Sequence, residues 1–485
     1  MSFSLETIVA RAKRKWFVYP NSEIYGWLAN ARDYGPYGAL LRKNITDAWI
    51  KFYTIERDDI IYMDTAIIAH PTTWIASGHV GNGVFSDTLI DDKKTGQRFR
   101  ADKIIEAYFE KARDNLNDED LAKKLWLPNL SPEARGNEWM YNFIIKFIPN
   151  NPDTGKTAER TECRNFNLML NTTLGPVADE ANKVYMRPET CQSLFTDFRN
   201  VCDTTRNRIP FGMAQVGKAF RNEITPGQFL FRTREFEQME IEYFVPADPE
   251  NAMTVFEEWK KLGMEFWTQI IWISADKLRY KDHDKLAHYA AAATDIEFAF
   301  PRGFGEVQGI HNRTDFDLKQ HQEHSKVSMQ YTDPKSGQRY IPWCIESSMW
   351  VGRCVMVSML AFYDEEVTTK EDGTSDTRVV IRFPFALAPI KYAVMPLVEK
   401  SPEMVALSQK IVDSLRKQWF QTDLDTSGGI GKRYRRQDEI GTPYCICVDH
   451  DSIDSSNDNY WTVTVRMRDT MEQVRIKWEE VSSFR

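Results

Sequence analysis

Apolar and polar positions alternate most tellingly between Phe220 and Phe244, in the run FRNEITPGQFLFRTREFEQMEIEYF. Pro226-Gly227 is a turn signal and the residues after it are rich in Phe and Thr, so the pattern predicts two antiparallel strands meeting at residues 224 to 229. Side chains two apart share a strand face. One face would therefore carry Arg221 and Glu223, then Arg232, Arg234, Phe236, Gln238, Glu240 and Glu242, while Phe231, Met239, Ile241 and Tyr243 turn toward a core. Phe236, Met239 and Tyr243 also fit a helical stripe, so an amphipathic helix is the competing reading of the same residues.

The rest of the chain supplies a frame. Leu41, Ile45, Trp49 and Phe52 recur at helical spacing in residues 38 to 53, and DDIIYMDTAIIAHP then reads as extended up to Pro71. Residues 80 to 165, with charged runs broken by Gly and Pro, look like an insertion. Residues 247 to 300 are helical in pattern, with Val255, Trp259, Leu262 and Phe266 at intervals of three or four. The polar stretch TTKEDGTSD at 368 to 376 is the linker-like segment, separating a body at 1 to 385 from residues 386 to 485. In that last part Ser401 is a helix cap, Pro402 suits the first helical position, and Met404, Leu407, Ile411 and Leu415 form a buried stripe. YCICVDHD, NYWTVTVRM and EQVRIKW follow as strands, so the order predicts a compact mixed α/β domain.

Composition narrows the class. With 62 basic and 70 acidic residues the net charge is −8, which argues against a general nucleic-acid coat but leaves room for a local basic patch. Seven scattered cysteines without a CxxC pair argue against a disulfide scaffold or a zinc ribbon, so no structural zinc is expected. Cys445 and Cys447 read as part of a buried strand. MSFSLETIVARAKRKW lacks an apolar signal core, and no long apolar run suggests a membrane span; a reducing cytoplasm is the expectation.

The Phe220–Phe244 run resembles the second signature motif of class II aminoacyl-tRNA synthetases, and in detail that of the homodimeric glycyl-tRNA synthetases. KRKWFVYPNSEIYGWLANARDYGP at 13 to 36, FRAD at 99 to 102, YMRPET at 185 to 190, NRTDFDL at 312 to 318, LAPIKYAVMPLV at 387 to 398 and GKRYRRQDEIGTP at 431 to 443 extend the likeness over nearly the whole chain. The resemblance implies an α+β fold: an antiparallel class II sheet flanked by helices, followed by an anticodon-binding domain. It further implies a homodimer whose interface uses the 38–53 helix and the strand after it.

It also implies a reaction: ATP-dependent attachment of glycine to tRNA(Gly) through a glycyl-adenylate, with Mg²⁺. Arg221 would hold the α-phosphate and the attacking carboxylate, Phe236 would stack on adenine, and Glu223 would read its edge. Arg232 would meet the outer phosphates and Arg353 the γ-phosphate, with Asn222 and Val307 also at the ATP site. Glu306 is the candidate Mg²⁺ ligand, since hard cations prefer carboxylate oxygen. Glu189, Glu240 and Glu346, with Ser348 and Arg100, would hold glycine. Lys432, Arg433, Tyr434, Arg435 and Arg436 would suit RNA phosphates and an unstacked base.

Four positions depart from the family pattern. Trp350 stands where the third motif has glycine, which predicts a narrowed adenine or glycine pocket; Ser347 replaces proline; Ser193 and Trp27 are bulkier than expected. A synthetase-like accessory or nucleic-acid-binding subunit of impaired catalysis is therefore the alternative, and a different ATP-dependent ligase on the same fold is a third, disfavoured by the anticodon-like C-terminal domain.

Overall fold

The computed structural model describes residues 4–29, 31–81, 85–113, 136–176, 182–205, 207–223, 229–287, 289–369 and 375–484. Its centre is a seven-stranded sheet made of β1 (Ile60–Met63), β2 (Phe211–Phe220), β3 (Glu235–Val245), β4 (Leu278–Asp282), β5 (Ala292–Phe300), β6 (Gly303–Thr314) and β7 (Trp343–Trp350), in the order β4-β5-β6-β7-β3-β2-β1. Each neighbouring pair is antiparallel except the edge pair β1 and β2, which is parallel. β2 and β3 pair from Phe211↔Phe244 to Phe220↔Glu235, so the competing helical reading of this run is excluded.

One sequence expectation about the hairpin needs correction: the strands end earlier than the alternation suggested. The Pro226-Gly227 turn lies outside the described residues. Beyond one last bond from Arg221 N–H to the Arg234 carbonyl at 2.9 Å, the main chain finds partners elsewhere: Asn222 N–H bonds Leu168 O at 2.8 Å and Glu223 N–H bonds Arg221 O at 2.7 Å. Arg221, Glu223, Arg232 and Arg234 therefore stand on the connection, where side-chain direction is set by the loop.

Helices cover the apolar face of the sheet. α1 (Pro36–Ile50) buries Leu41, Ile45 and Trp49 completely, with Tyr53 in the π-turn that follows. Its start approaches the segment after the N-terminal helix so closely that a Cβ on Gly38 would lie 1.8 Å from the Phe17 carbonyl oxygen. Only glycine fits there. α2 (Cys191–Thr205) packs on the other face, the one that carries Glu240 and Glu242, where Phe195 and Phe198 meet Phe211, Met213 and Phe244 beside the polar region. α3 (Pro249–Glu265), capped by Asp248, and α4 (Val351–Phe362) join α1 against Met239, Ile241 and Tyr243 of β3. Burying each of these large side chains contributes about 1.5–3 kcal/mol. The apolar stripe of α1 is thus used within its own subunit rather than left for a partner.

Residues 247 to 300 are only partly helical. α3 and its π-turn end at Ile270, and the remainder supplies β4 and β5, so the expected helical insertion is corrected: residues 278 to 300 belong to the main sheet. The insertion near residues 80 to 165 folds as a small unit, with strands Ser86–Asp91, Arg98–Arg100 and Arg164–Asn167 and helices Ala101–Arg113 and Asn137–Phe147 around Ile90, Ile105, Met140 and Ile144.

The polar stretch at 368 to 376 is not an extended linker. It joins β8 (Tyr363–Thr369) to β9 (Ser375–Ile381), an antiparallel hairpin whose connection, 370–374, lies outside the described residues. After it come β10 (Tyr392–Pro396), α5 (Pro402–Lys417), β11 (Thr422–Leu424), α6 (Ile430–Ile440), β12 (Tyr444–Val448), β13 (Thr462–Met467) and β14 (Gln473–Lys477). Their sheet runs β11-β10-β12-β13-β14, parallel among the first three and antiparallel thereafter. Ser401 caps α5 through Met404 N–H, and Met404, Leu407, Ile411 and Leu415 are buried, as their spacing indicates. Cys445 and Cys447 are buried on β12.

Candidate active site

A cavity of about 330 Å³ opens on the polar face of the main sheet. β3 supplies Gln238 and Glu240, β6 Glu306, Gly309, His311 and Arg313, and β7 Glu346, Ser348 and Trp350. Arg353 enters from the first turn of α4, Arg221, Glu223 and Arg232 from the β2–β3 connection, and Asp87 and Arg100 from the insertion. One irregularity lets β6 contribute four groups. The register with β5 shifts between Ile296↔Gln308 and Glu297↔Glu306, leaving Val307 as an extra residue, so the facing parity changes there. Glu306 and, after the bulge, Gly309, His311 and Arg313 all reach the cavity, while Val307 is buried in the core.

One end of the cavity is carboxylate-rich. Glu240 accepts from Gln238 Nε2 and Ser348 Oγ, both at 2.8 Å, from Thr190 N–H at 3.0 Å, and from the Thr190 hydroxyl. Burial, reinforced by the charges of Glu346 and Glu189, raises its pKa to about 7. Glu346 meets His311 Nδ1 at 2.8 Å and the Arg313 guanidinium; burial opposes ionisation, yet those two partners lower its pKa to about 2. Burial also acts against Glu189, and His79, Arg313 and Arg221 overcome it, holding this carboxyl well below its ordinary range. Behind them, burial and the nearby Glu346 push Glu242 well above its ordinary range; its Oε2 accepts from Cys344 Sγ at 3.0 Å. The pocket end therefore holds two fixed anions and one carboxyl poised near neutrality.

Arginines line the remainder of the cavity, and Arg221 comes within 3.9 Å of Glu189. Arg221 bonds the Pro188 carbonyl at 3.0 Å and lies over the rings of Phe85, Phe236 and Trp350 at 5.2–5.6 Å. Arg353 pairs with Glu306 Oε1 at 3.0 Å and lies 4.3 Å from the rings of both Phe231 and Trp350. Trp350 stacks on Phe236 with centroids 3.9 Å apart and planes 14° from parallel. The layers therefore run Phe236, indole, guanidinium, phenyl. The narrowing expected from Trp350 is present, and it falls in the slot between Phe236 and Arg353. Ser193 is buried on α2 and Trp27 is exposed; neither lines the cavity.

Most of the sequence-predicted residues converge. Arg100, Glu189, Arg221, Glu223, Arg232, Glu240, Glu306, Glu346, Ser348 and Arg353 all line the cavity, and Phe236 backs it through Trp350. Arg100 arrives already paired, bidentate to Asp102 and 3.0 Å from Asp87. Two expected ATP contacts are displaced: the Val307 side chain is in the core, so only its main chain could meet a ligand, and half-buried Asn222 lies outside the lining. Gln238, Tyr289, His311 and Arg313 line the cavity without having been assigned a role, and His79 supports Glu189 from behind. Alternation had already placed Gln238 beside Glu240, and Arg313 lay within the NRTDFDL motif; His311 was hidden because the Val307 bulge changes the parity of β6.

The basic run on α6 divides. Arg433 is buried, donating to the carbonyls of Gly428, Pro396, Asp425 and Leu397, so its expected contact with RNA is corrected to a structural role. Tyr434 is half-buried beneath Arg466. Arg435 and Arg436 are exposed and pair with Asp376 and Asp425, and Lys432 is exposed.

The sheet, its helix cover and the facing arginines and carboxylates define a class II aminoacyl-tRNA synthetase. Residues 173–359 match the family described as the tRNA synthetase class II core domain (G, H, P, S and T), and residues 391–484 match the anticodon binding domain family. Glycine–tRNA ligases are similar over the full chain: that of Acetivibrio thermocellus is 47% identical over 99% of this chain and 97% of its own. That of Chlorobaculum tepidum is 44% identical over 99% of both, and that of Caldanaerobacter subterraneus 46% over 99% and 97%. The chain belongs to the glycine–tRNA ligase family.

Proposed function

We propose that this chain activates glycine with ATP and transfers it to tRNA(Gly). The observation that supports this best is a single cavity lined both by the carboxylates Glu189, Glu240 and Glu346 and by Arg221, Arg232 and Arg353. An amino acid placed between them puts its ammonium among carboxylates and its carboxylate toward the arginines. The carboxylate oxygen attacks the α-phosphorus, the bond to the bridging oxygen breaks, and pyrophosphate leaves. The protein needs no nucleophile of its own; it aligns two anions and neutralises the charge that gathers between them. Arg221 would meet that point, Arg232 and Arg353 the outer phosphates, and Phe236 would serve as the adenine platform once the Trp350 indole moves off it. Transfer of glycine from the adenylate to the terminal ribose of tRNA then releases AMP.

Glu306 would hold Mg²⁺ together with ATP phosphates, its carboxylate kept ionised by Arg353 despite burial. A bound Mg²⁺ supplies further charge neutralisation on the phosphates. Two groups of described residues could gather round an ion, His283 with Asp295 and His311, and Cys191 with Glu242 and Glu346; Glu306 belongs to neither. Residues 386–485 would bind the anticodon through Lys432, Arg435 and Arg436, and two copies would pair through the free edge of β1 and the strand Ile68–Ala69. No helix among the described residues is long and apolar enough to cross a membrane, and the cytoplasm is the proposed location.

Pyrophosphate exchange with glycine, alanine and serine tests the reading: glycine alone is expected to support it, and exchange with alanine but not glycine refutes the specificity. Deleting 386–485 should abolish tRNA charging while part of the exchange persists. The poised Glu240 adds a pH signature. Its pKa is raised to about 7, so below that value it is protonated and its attraction for an ammonium is lost. KM for glycine should climb roughly tenfold per pH unit on the acid side of this value. A KM that changes by less than about threefold between pH 5.5 and pH 8 would remove Glu240 from the ammonium site.

A further inference from the structure

Two groups of tryptophans stand apart among the described residues. Trp49, Trp74, Trp259 and Trp267 are at most 1% exposed and form the core. Trp16, Trp27, Trp272, Trp419 and Trp461 are 36–93% exposed, and these same five have positive φ, between 56° and 67°. Ten described non-glycine residues adopt this left-handed backbone and five are tryptophan, although tryptophan makes up only 14 of 485 residues. A bulky side chain has no reason to seek that conformation; glycine is the residue that adopts it without a Cβ penalty.

The local hydrogen bonds agree. Trp16 follows the helix Leu5–Arg14, with Phe17 N–H closing onto Ala12 O at 2.9 Å, and Trp419 follows α5, with Phe420 N–H closing onto Leu415 O at 3.2 Å. Trp272 follows the turn after α3, with Ile273 N–H closing onto Trp267 O at 2.9 Å. These are helix C-terminal closures in which the left-handed position is ordinarily glycine. Trp16 lies 6.0 Å from Tyr37 and Trp461 lies under Lys410, but neither contact requires a left-handed backbone.

Position 350 belongs with these on separate grounds. Its backbone is extended, φ −102°, and its indole fills the slot between Phe236 and Arg353 where a flat base would lie. This part rests on the nucleotide-site reading above. We propose that positions 16, 27, 272, 350, 419 and 461 are glycine in the protein as its own cell makes it. One coding event accounts for all six. UGG cannot be the triplet involved, because the core tryptophans would then be glycine too; UGA, which variant genetic codes translate as tryptophan, is left as the triplet read here as glycine. Such a cell needs a glycine tRNA whose anticodon pairs with UGA, so a UCA-anticodon tRNA becomes a substrate of this same enzyme.

Peptide sequencing of the protein purified from its own cells should find glycine at the six positions and tryptophan at 49, 74, 259 and 267; tryptophan at the six overturns the proposal. In recombinant protein, the combined Trp16→Gly, Trp27→Gly, Trp272→Gly, Trp419→Gly and Trp461→Gly variant should melt at higher temperature than the tryptophan chain, and an unchanged or lower Tm counts against it. Adding Trp350→Gly should lower KM for ATP in glycine-dependent exchange by about tenfold or more as the slot opens. An unchanged KM removes position 350 from the set. A raised Tm with no exchange from either chain upholds the five backbone positions and instead refutes the enzymatic reading. Glycylation of a UCA-anticodon transcript of the cell's glycine tRNA completes the case, and its failure beside a charged UCC transcript overturns the codon assignment.

Discussion

Arg221→Gln should lower kcat for glycine-dependent exchange by about 10²–10³-fold, the cost of removing one preorganised cation from a developing anion in a water-poor site. The fold should tolerate the change. Among the described residues this side chain makes a single hydrogen bond, to Pro188 O, and its nearest carboxylate contact, to Glu189, is 3.9 Å. Its position above Phe236 and Trp350 is a matter of aim rather than of support. A normal Tm with an exchange rate within about threefold of the parent would show that the arginine does not face the reacting phosphate.

Arg313→Met should act in the opposite way, through stability. Arg313 is buried, donates two bonds to Asp317 at 2.7 and 2.9 Å, reaches Glu346, and lies 4.3 Å from the Tyr289 ring. Methionine leaves two buried carboxylates without their cation, a loss of about 3–5 kcal/mol. Glu346 would also lose the partner that most lowers its pKa, and with it the fixed negative charge beside Glu240. Urea denaturation measures the first effect. Asp317→Leu combined with Arg313→Met should recover part of the stability, because removing both charges is less costly than stranding one.

How far the sequence carried can be judged residue by residue. β3 was legible because one of its faces is core and the other is cavity, so Phe236, Gln238, Glu240 and Glu242 alternate cleanly with Met239, Ile241 and Tyr243. α1 was legible because Leu41, Ile45 and Trp49 meet a single partner surface. β4 and β5 were not: they follow a helix with a strong stripe, and β4 is an exposed edge strand with little apolar pattern. The β8–β9 hairpin looked like a linker because its far end is polar on both faces. In the site, the carboxylates and arginines came from motif resemblance, whereas His311 required the Val307 bulge, and Arg433 looked available for RNA until its donors were traced to four buried carbonyls.

That hairpin also fixes something at larger scale. Arg378 on β9 reaches Asp438 on α6 at 2.8 Å, the carbonyl of Arg468, and Glu366 on β8, while Arg466 grips the same Asp438 from β13. The catalytic body and the anticodon-binding portion are thereby clamped through a buried ionic knot rather than tethered by a loose string. A tRNA transcript longer by one base pair between its two ends should therefore be charged more slowly, because a molecule so braced has little give between its jaws.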